Sequence, residues 1–217
     1  MLNNRITRSN RAAFTMIELV FVIVVLGILA AMALPRMDRD QRQGAADEIL
    51  SSIRYTQHIA LQDYKHDSND PKWQQKFWKI MFADCPANGL YYRIGSDEST
   101  GGNGLFAEAE AARDPLNRKP LFADNGNCGD DDINENILLG KRFGVSLTNT
   151  SGGCAGIQHI GFDHLGRPHV SYGASTIANY ASYMDQRCTL SFSMSDGETF
   201  DITIEPETGY AEVVNRS

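Results

Sequence analysis

One carboxylate lies in the most apolar stretch of the chain. Glu18 belongs to the segment AAFTMIELVFVIVVLGILAAMALP, residues 12–35, and every residue from Leu19 to Leu34 is apolar or glycine. A carboxylate in lipid costs on the order of a few kcal/mol or more, so it needs a partner or a function. Cleavage between Ala13 and Phe14 would make Glu18 the fifth residue of the mature chain, about one helical turn from a new amine. Because pairing within one chain is awkward, we expect Glu18 to meet the amine of a neighbouring chain in a helical bundle.

The length of the apolar run separates a membrane helix from a secretory signal peptide. A signal peptide has a basic start, roughly 7 to 15 apolar residues and a small-residue cleavage site behind them. Here a basic leader with Arg5, Arg8 and Arg11 precedes a run close to the roughly 20 residues that span a bilayer. We therefore predict a transmembrane helix over residues 14–35 and removal of residues 1–13. An ordinary anchor with an accidental glutamate is the alternative.

Four cysteines lie 43, 26 and 34 positions apart, at Cys85, Cys128, Cys154 and Cys188. This spacing lacks the close pairs of a zinc finger or ribbon. Behind an export-type segment it indicates two disulfides in an oxidising compartment. Three connectivities are open. We favour Cys85–Cys128 and Cys154–Cys188, because Cys154 and Cys188 each precede a strand hairpin and could join neighbouring hairpins at one end.

Three histidines, His159, His164 and His169, could ligate a metal. In the hairpin register given below, His159 and His169 lie about 7–8 Å apart on the outer face of a sheet, and His164 lies in the turn. Neither a helical HExxH motif nor a close cysteine pair accompanies them. We expect histidines that face solvent or an interface, and no metal site.

The loop ADNGNCGDDDINE, residues 123–135, is dense in oxygen ligands, of which calcium needs roughly six to eight. It is not an EF-hand, because the sixth position counted from Asp130 is Glu135 rather than glycine and the twelfth is Lys141. We expect a solvated acidic loop held by Cys128 and no cofactor, with calcium binding as the alternative.

The elements that position these residues follow from the hydrophobic pattern. Apolar residues recur at helical spacing behind the membrane segment, which extends the predicted helix over residues 14–65. They are Ala46, Ile49, Leu50, Ile53, Ala60, Leu61 and Tyr64. Pro35 should bend this helix and Gly44 should loosen it. The breakers in HDSNDPKW, residues 66–73, end the helix and begin a β-rich head over residues 66–217.

Strand signals recur through the head. Strands or hairpins are predicted at KFWKIMF, GLYYRIG, IQHIGFDHLGRPHVSY, CTLSFSMSDGETFDITIE and TGYAEVV. A long Gly- and Asp-rich stretch lies between them, which we expect to be functional or partly structured, with a short helix at AEAEAAR.

One hairpin can be predicted in register. The turn DHLG, with Gly166 as its bulge residue, pairs Asp163 with Arg167 and Phe162 with Pro168. The apolar residues Ile160, Phe162, Pro168 and Val170 then share one face. The other face carries His159, Gly161, Asp163, Arg167 and His169.

Three large aromatic residues, Trp73, Phe77 and Trp78, begin the head. Large aromatic side chains are usually buried, so we expect all three in the core where the sheet meets the helix. A carbohydrate-binding or adhesion surface is the alternative.

Composition argues against other classes of function. The net charge of −7, with an acidic C-terminal half, argues against a nucleic-acid partner. The chain has neither a GxSxG motif nor a phosphate-binding loop, and its cysteines are better interpreted as paired. We therefore predict no catalytic residues and no enzyme.

The N-terminal segment FTMIELVFVIVVLGILAAMALP resembles type IV pilins and type II secretion pseudopilins. The resemblance covers the basic leader, Phe14 as first mature residue, Glu18 as fifth, the apolar run and Pro35. It implies that a prepilin peptidase cuts before Phe14 and methylates its amine. The sequence departs from the family at Ala13, where glycine is usual.

The head resembles the H-type minor pseudopilins and related fimbrial minor pilins. The segments that carry this resemblance are RYTQHIALQ on the helix, IGFDHLGRP, and the closing EPETGYAEV. Residues 66–150 match no pattern of the family. The resemblance implies an α+β fold, in which a long N-terminal helix packs on a C-terminal antiparallel β-sheet domain.

The predicted function is that of a minor pseudopilin or minor pilin, anchored by one span in the inner membrane with its head in the periplasm or outside the cell. Its implied partners are other pilin-like subunits, the prepilin peptidase, and the platform protein and ATPase that assemble the filament. The alternative is a binding module mounted on the filament, with substrate, sugar or DNA as ligand.

Overall fold

The computed structural model describes residues 15–99, 104–157, 159–173 and 176–214, and for residues 31–40 it describes the backbone alone. Two compact units divide the chain, Met1–Asp40 and Gln41–Ser217. The predicted leader, Ala13 and Phe14 lie outside the described residues.

A 46-residue helix, α1, spans Met16–Leu61 and confirms the long N-terminal helix. Its last backbone hydrogen bonds are of the tighter i to i−3 kind, from Gln62 to Ile59 and from Asp63 to Ala60. The side chain of Pro35 is not described, so the bend at Pro35 stays a prediction. Among the described residues, no helix is both long and apolar enough to be identified as a membrane span.

Eight strands in the described part of the chain form two four-stranded antiparallel sheets. The first sheet has the order β2-β1-β4-β5, with β1 at Trp78–Cys85, β2 at Gly89–Gly95, β4 at His159–Phe162 and β5 at Pro168–His169. The second has the order β3-β6-β7-β8, with β3 at Val145–Gly152, β6 at Cys188–Met194, β7 at Thr199–Ile204 and β8 at Ala211–Val214. A short helix, α2, spans Leu139–Phe143. This arrangement confirms the α+β fold class.

Residues 41–61 of α1 share one hydrophobic core with both sheets. The buried helix residues are Ala45, Ala46, Ile49, Leu50, Ile53 and Ala60. Leu61 and Tyr64, predicted on the same face, are exposed, because the helix ends at Leu61 and the chain then turns away. Gly44 packs closely on α2: a Cβ there would lie 3.1 Å from Cε1 of Phe143, so a larger residue would require the Phe143 ring to shift.

The predicted hairpin register is confirmed. Phe162 pairs with Pro168 and Gly161 with His169. The backbone N–H of Gly166 donates to the Asp163 carbonyl at 2.9 Å, and Gly166 has φ of +77°, which a residue with a side chain rarely adopts.

The outer face of the first sheet is covered. The prediction of histidines that face solvent or an interface is therefore wrong for His169, which is buried, whereas His159 and His164 are half-buried. Lys79 is fully buried there, and its Nζ donates to the carbonyls of Gln75 at 2.9 Å and Gly104 at 2.8 Å. The Tyr172 ring lies 5.6 Å from Nζ and is also buried. The middle region of the chain therefore forms a layer over this sheet.

Only Trp78 lies where the sheet meets the helix, among the three aromatic residues predicted there. Its Nε1 donates to Asp63, just past the end of α1, at 2.8 Å. Phe77 is buried on the opposite face, against Tyr172 and His169, and Trp73 is half-buried on the same side. The prediction was wrong for both residues. Phe77 directly precedes Trp78, the first residue of β1, and lies on the other face of the sheet. Trp73 lies in the 3-10 turn Trp73–Lys76 and packs on Phe77 there.

Both disulfides form in the favoured pairing. Cys85 at the end of β1 bonds to Cys128 in the acidic loop, with the Cα atoms 5.9 Å apart. Cys154 follows β3 and bonds to Cys188, the first residue of β6, with the Cα atoms 5.1 Å apart. The second bridge thus closes the β3–β6 pair rather than joining two hairpins.

Candidate functional site

Residues 16–30 of α1 present apolar side chains on all sides, apart from Glu18. Twelve large apolar residues between Met16 and Leu29 are each between 37% and 86% exposed. A helix that is apolar all round is normally buried, in a membrane or in a large core. This surface is therefore suited to burial against lipid or against other chains.

Glu18 lies in the first turn of this helix and is exposed. Its backbone N–H donates to Oγ1 of Thr15 at 3.3 Å. Thr15 and Glu18 have the spacing of a capping box, in which the side chain at the start of a helix satisfies an otherwise unpaired N–H group. The positive end of the helix dipole also favours a carboxylate at this position.

These contacts leave the carboxylate of Glu18 open to a partner. The first residue of the predicted mature chain, Phe14, lies outside the described residues, as does Ala13. Cleavage before Phe14 and methylation of its amine stay predictions.

A second candidate site is a cavity of about 400 Å³ on the outer face of the first sheet, which we call the aromatic cavity. Three segments build it: the chain after α1 with Tyr64 and His66, the 3-10 turn Trp73–Lys76, and the β4–β5 turn. Tyr180 and Tyr183 close the fourth side.

The rings of the aromatic cavity support one another edge to face. The Trp73 ring meets His66 at 4.7 Å and Phe77 at 5.2 Å between ring centroids. Tyr64 meets His164 at 4.5 Å with an interplanar angle of 82°. These contacts are the preferred geometry for aromatic pairs and hold the ring orientations.

The floor of the aromatic cavity is a chain of hydrogen bonds that begins at Asp163. Its carboxylate accepts from the backbone N–H groups of Leu165 and Arg167, each at 2.9 Å, and contacts the Arg167 guanidinium at 2.6 Å and His169 Nε2 at 3.4 Å. Burial opposes ionisation of Asp163, but the hydrogen bonds from His169 and Arg167 outweigh it and hold its pKa well below the usual range.

The structure brings Asp163, His169 and Ser182 into a row that resembles a catalytic triad. His169 Nδ1 lies 2.9 Å from Ser182 Oγ. Ser182 is only 1% exposed, however, and its hydroxyl also lies 3.4 Å from Nε2 of Gln74. A substrate in the cavity cannot reach it, so the row acts as a structural link between the hairpin and residues 180–183.

The other predicted site residues lie apart from the cavity. His159 packs against Tyr172 at 5.7 Å, and burial together with the nearby charge of Lys79 lowers its pKa. In the acidic loop, Asp130, Asp131 and Asp132 are exposed. Across the described residues, no three His, Cys, Asp or Glu side chains are placed to hold a metal ion together.

The sequence did not predict the aromatic cavity, although most of the residues that line it had been considered singly for other roles. The signal was the density of aromatic residues on both sides of the helix-ending segment HDSNDPKW, together with the histidine in the DHLG turn. The contribution of Tyr180 and Tyr183 was not visible, because no motif marks that segment.

The three segments that resemble H-type minor pseudopilins contact one another through three hydrogen bonds, which we call the seam. Nε2 of Gln57 on α1 donates to the carbonyls of Gly166 and Thr208, each at 2.8 Å. Arg54 Nη2 donates to the Ala211 carbonyl at 2.8 Å. The seam joins the helix to the β4–β5 turn and to the turn before β8.

Comparison with known proteins identifies the N-terminal segment. Residues 8–34 match the family described as the prokaryotic N-terminal methylation motif. Searches of curated proteins and of solved structures each found no match. The motif is consistent with the type IV pilin and pseudopilin family, supports a filament subunit, and indicates a structural protein rather than an enzyme. It does not test the H-type resemblance.

Proposed function

We propose that the protein is a structural subunit of a type II secretion pseudopilus or of a type IV pilus-like filament. The main support is that the methylation motif at residues 8–34 overlaps a helical segment whose apolar side chains are exposed in the single chain. Such a surface is stable only when lipid or other subunits cover it.

Processing is the first step of the proposed mechanism. A prepilin peptidase cuts between Ala13 and Phe14 and methylates the new amine. Glu18 is then the fifth residue, in the first turn of α1. Before assembly, residues 14–35 hold the subunit in the inner membrane as a single span.

Assembly is the second step. The platform protein and the ATPase extract the subunit, and its apolar helix packs among the helices of other pilin-like subunits. In this bundle the Glu18 carboxylate pairs with the Phe14 amine of a neighbouring chain. Pairing removes the cost of an unpartnered carboxylate in an apolar environment, so the charge favours the assembled state.

The head faces an oxidising compartment in this proposal, the periplasm or the exterior. The two disulfides support that location, because such bonds persist where thiols are not kept reduced.

The finer assignment is to the H-type minor pseudopilins and related fimbrial minor pilins. It is supported by the seam of Gln57 and Arg54, since the three segments that carry the resemblance contact one another there.

Intact-mass measurement of the protein from sheared filaments of its host tests this function. The proposal requires loss of residues 1–13 and one added methyl group on Phe14, in protein that sediments with the filament. A mature chain that starts after Ala33 would instead identify a secretory signal peptide. Full-length protein that stays in the membrane fraction would exclude filament assembly.

A further inference from the structure

We infer that the aromatic cavity binds a neutral saccharide, one or two pyranose rings of a glycan. The inference goes beyond filament assembly and does not depend on it, because every residue of the cavity lies in the unit Gln41–Ser217. Three observations support it: the size of the cavity, the chemistry of the side chains that line it, and the pairing of the charged groups inside it.

The size and the exposure of the cavity favour a ligand. Its volume of about 400 Å³ lies in the range of small-molecule sites. Tyr180 and Tyr64, which both line the cavity, are 77% and 63% exposed. Exposed aromatic rings that are grouped around one cavity, unlike a singly exposed side chain, are typical of a binding surface.

The walls combine flat apolar faces with polar edges. Of the eleven described residues that line the cavity, only Phe77 lacks a hydrogen-bonding group in its side chain. A pyranose ring has the matching chemistry, since its C–H face packs on an aromatic ring while its hydroxyl groups bond to polar groups at the edge. A purely apolar ligand would displace water from the exposed tyrosine hydroxyl groups at the rim, such as that of Tyr180, without offering them a hydrogen bond.

The rings are oriented before a ligand arrives. Trp73 is held between His66 and Phe77 by edge-to-face contacts, so its free face is fixed. Gln74 beside it is buried, and its side chain bonds to the backbone of Asn179 through both of its polar atoms. Because little side-chain freedom remains to be lost, a weakly bonding ligand such as a sugar can bind.

The charges in the cavity cancel. Asp163 accepts hydrogen bonds from two backbone N–H groups, from Arg167 and from His169, so it has no strong site left for a cationic ligand. The same contact neutralises the Arg167 guanidinium, which would otherwise select an anion. A charged ligand would lose its hydration without gaining an opposite charge, so the site favours an uncharged one.

Tryptophan fluorescence of the full-length protein can test this inference. The chain has two tryptophans, and Trp78 lies on the helix side of the sheet, so a Trp78→Phe background leaves Trp73 as the reporter. Because the full-length protein carries the exposed apolar helix, it is kept in detergent. The detergent must lack a sugar headgroup that would compete for the cavity, and lauryldimethylamine oxide is suitable. The probes are lactose, cellobiose, maltose and N,N′-diacetylchitobiose. Choline and glucuronate are the charged comparisons and toluene is the apolar one, and a printed array of neutral and acidic glycans extends the panel.

We expect saturable binding of at least one neutral saccharide, with a Kd on the order of 1 mM or tighter. Tyr180→Ala should weaken it about tenfold, because one stacking face is lost. Tyr210→Ala is the matched control, since Tyr210 is also an exposed tyrosine, 54% exposed, but lies outside the cavity. Saturation by choline, glucuronate or toluene alone, equal loss of saccharide affinity in both tyrosine variants, or no binding by any neutral glycan of the array would each overturn the inference.

Discussion

The Arg167 guanidinium contacts the Asp163 carboxylate at 2.6 Å, across the turn that joins β4 to β5. Asp163 is 4% exposed at its side chain, whereas Arg167 is 43% exposed. The pair therefore fixes a buried carboxylate at the floor of the aromatic cavity and places a cation at its rim. Since the same carboxylate also accepts from the turn backbone, it holds the turn and the cavity together.

Replacing this carboxylate should destabilise the head. In Asp163→Asn the amide cannot accept all the hydrogen bonds that now converge on the buried oxygens, and Arg167 loses its partner. We expect the free energy of unfolding to fall by about 2–4 kcal/mol. Denaturant unfolding of the full-length protein measures this change. Asp185→Asn, at an exposed position, is the control and should be neutral; a loss of less than about 0.5 kcal/mol in Asp163→Asn would contradict the assigned role.

Alkaline pH should stabilise the fold through Lys79. Burial lowers the pKa of Lys79 from 10.5 to about 8. Between these values the unfolded chain binds the proton and the folded chain does not, so stability rises with pH. We expect a gain of roughly 2 kcal/mol between pH 8 and 9.5, measured as the free energy of unfolding.

The matched control for this titration is a lysine on the surface. Lys79→Met should remove the rise with pH, while Lys141→Met, whose side chain is 51% exposed, should retain it. The same rise in Lys79→Met as in the wild type would show that another group is responsible.

The two disulfides should each contribute strongly to stability. They close loops with separations of 43 and 34 residues, for which loop-closure entropy gives about 4 kcal/mol each. We expect the free energy of unfolding to fall by about this amount in each of two double variants, measured by denaturant unfolding. One variant is Cys85→Ala with Cys128→Ala, and the other is Cys154→Ala with Cys188→Ala. Non-reducing peptide mapping of protein from the periplasm checks the pairing directly, and a peptide that links Cys85 to Cys154 or Cys188 would contradict it.

The sequence predicted the elements in which pattern and turn chemistry agree. In the β4–β5 hairpin, the requirement that Phe162 and Pro168 share a face and the glycine at position 166 allow one register. The β6–β7 hairpin follows in the same way from the alternation of TLSFSM and the turn SDGE. Strand β3 was missed because it is an edge strand with a bulge near Leu147 and buries only Val145, so its sequence has no alternation to recognise.

The covered face of the first sheet could not be predicted from pattern. His169 and Asp163 alternate with apolar residues, which usually indicates a solvent-facing side. They are buried because the segments that carry Gln74 and Ser182 fold over them, and these contacts join residues 108 positions apart. The aromatic cavity depends on the same long-range packing.

Two variants separate the proposed pairing of Glu18 with a neighbouring amine from a local role of Glu18 in the helix. Glu18→Ala removes the carboxylate, and Thr15→Ala removes only the side chain that caps the Glu18 N–H. If Glu18 acted only as a capping residue, both variants would behave alike. Glu18→Gln adds a test of charge against size, since glutamine cannot form an ion pair with an ammonium group.

The decisive measurement is the ratio of processed subunit in sheared filaments to processed subunit left in the membrane. We predict that Glu18→Ala is cut between Ala13 and Phe14 and accumulates in the membrane at least as well as the wild type, yet is nearly absent from filaments. Glu18→Gln should be reduced similarly and Thr15→Ala only slightly. If Glu18→Ala enters filaments in the same ratio as the wild type, the carboxylate is not an element of assembly and the account of this segment is wrong.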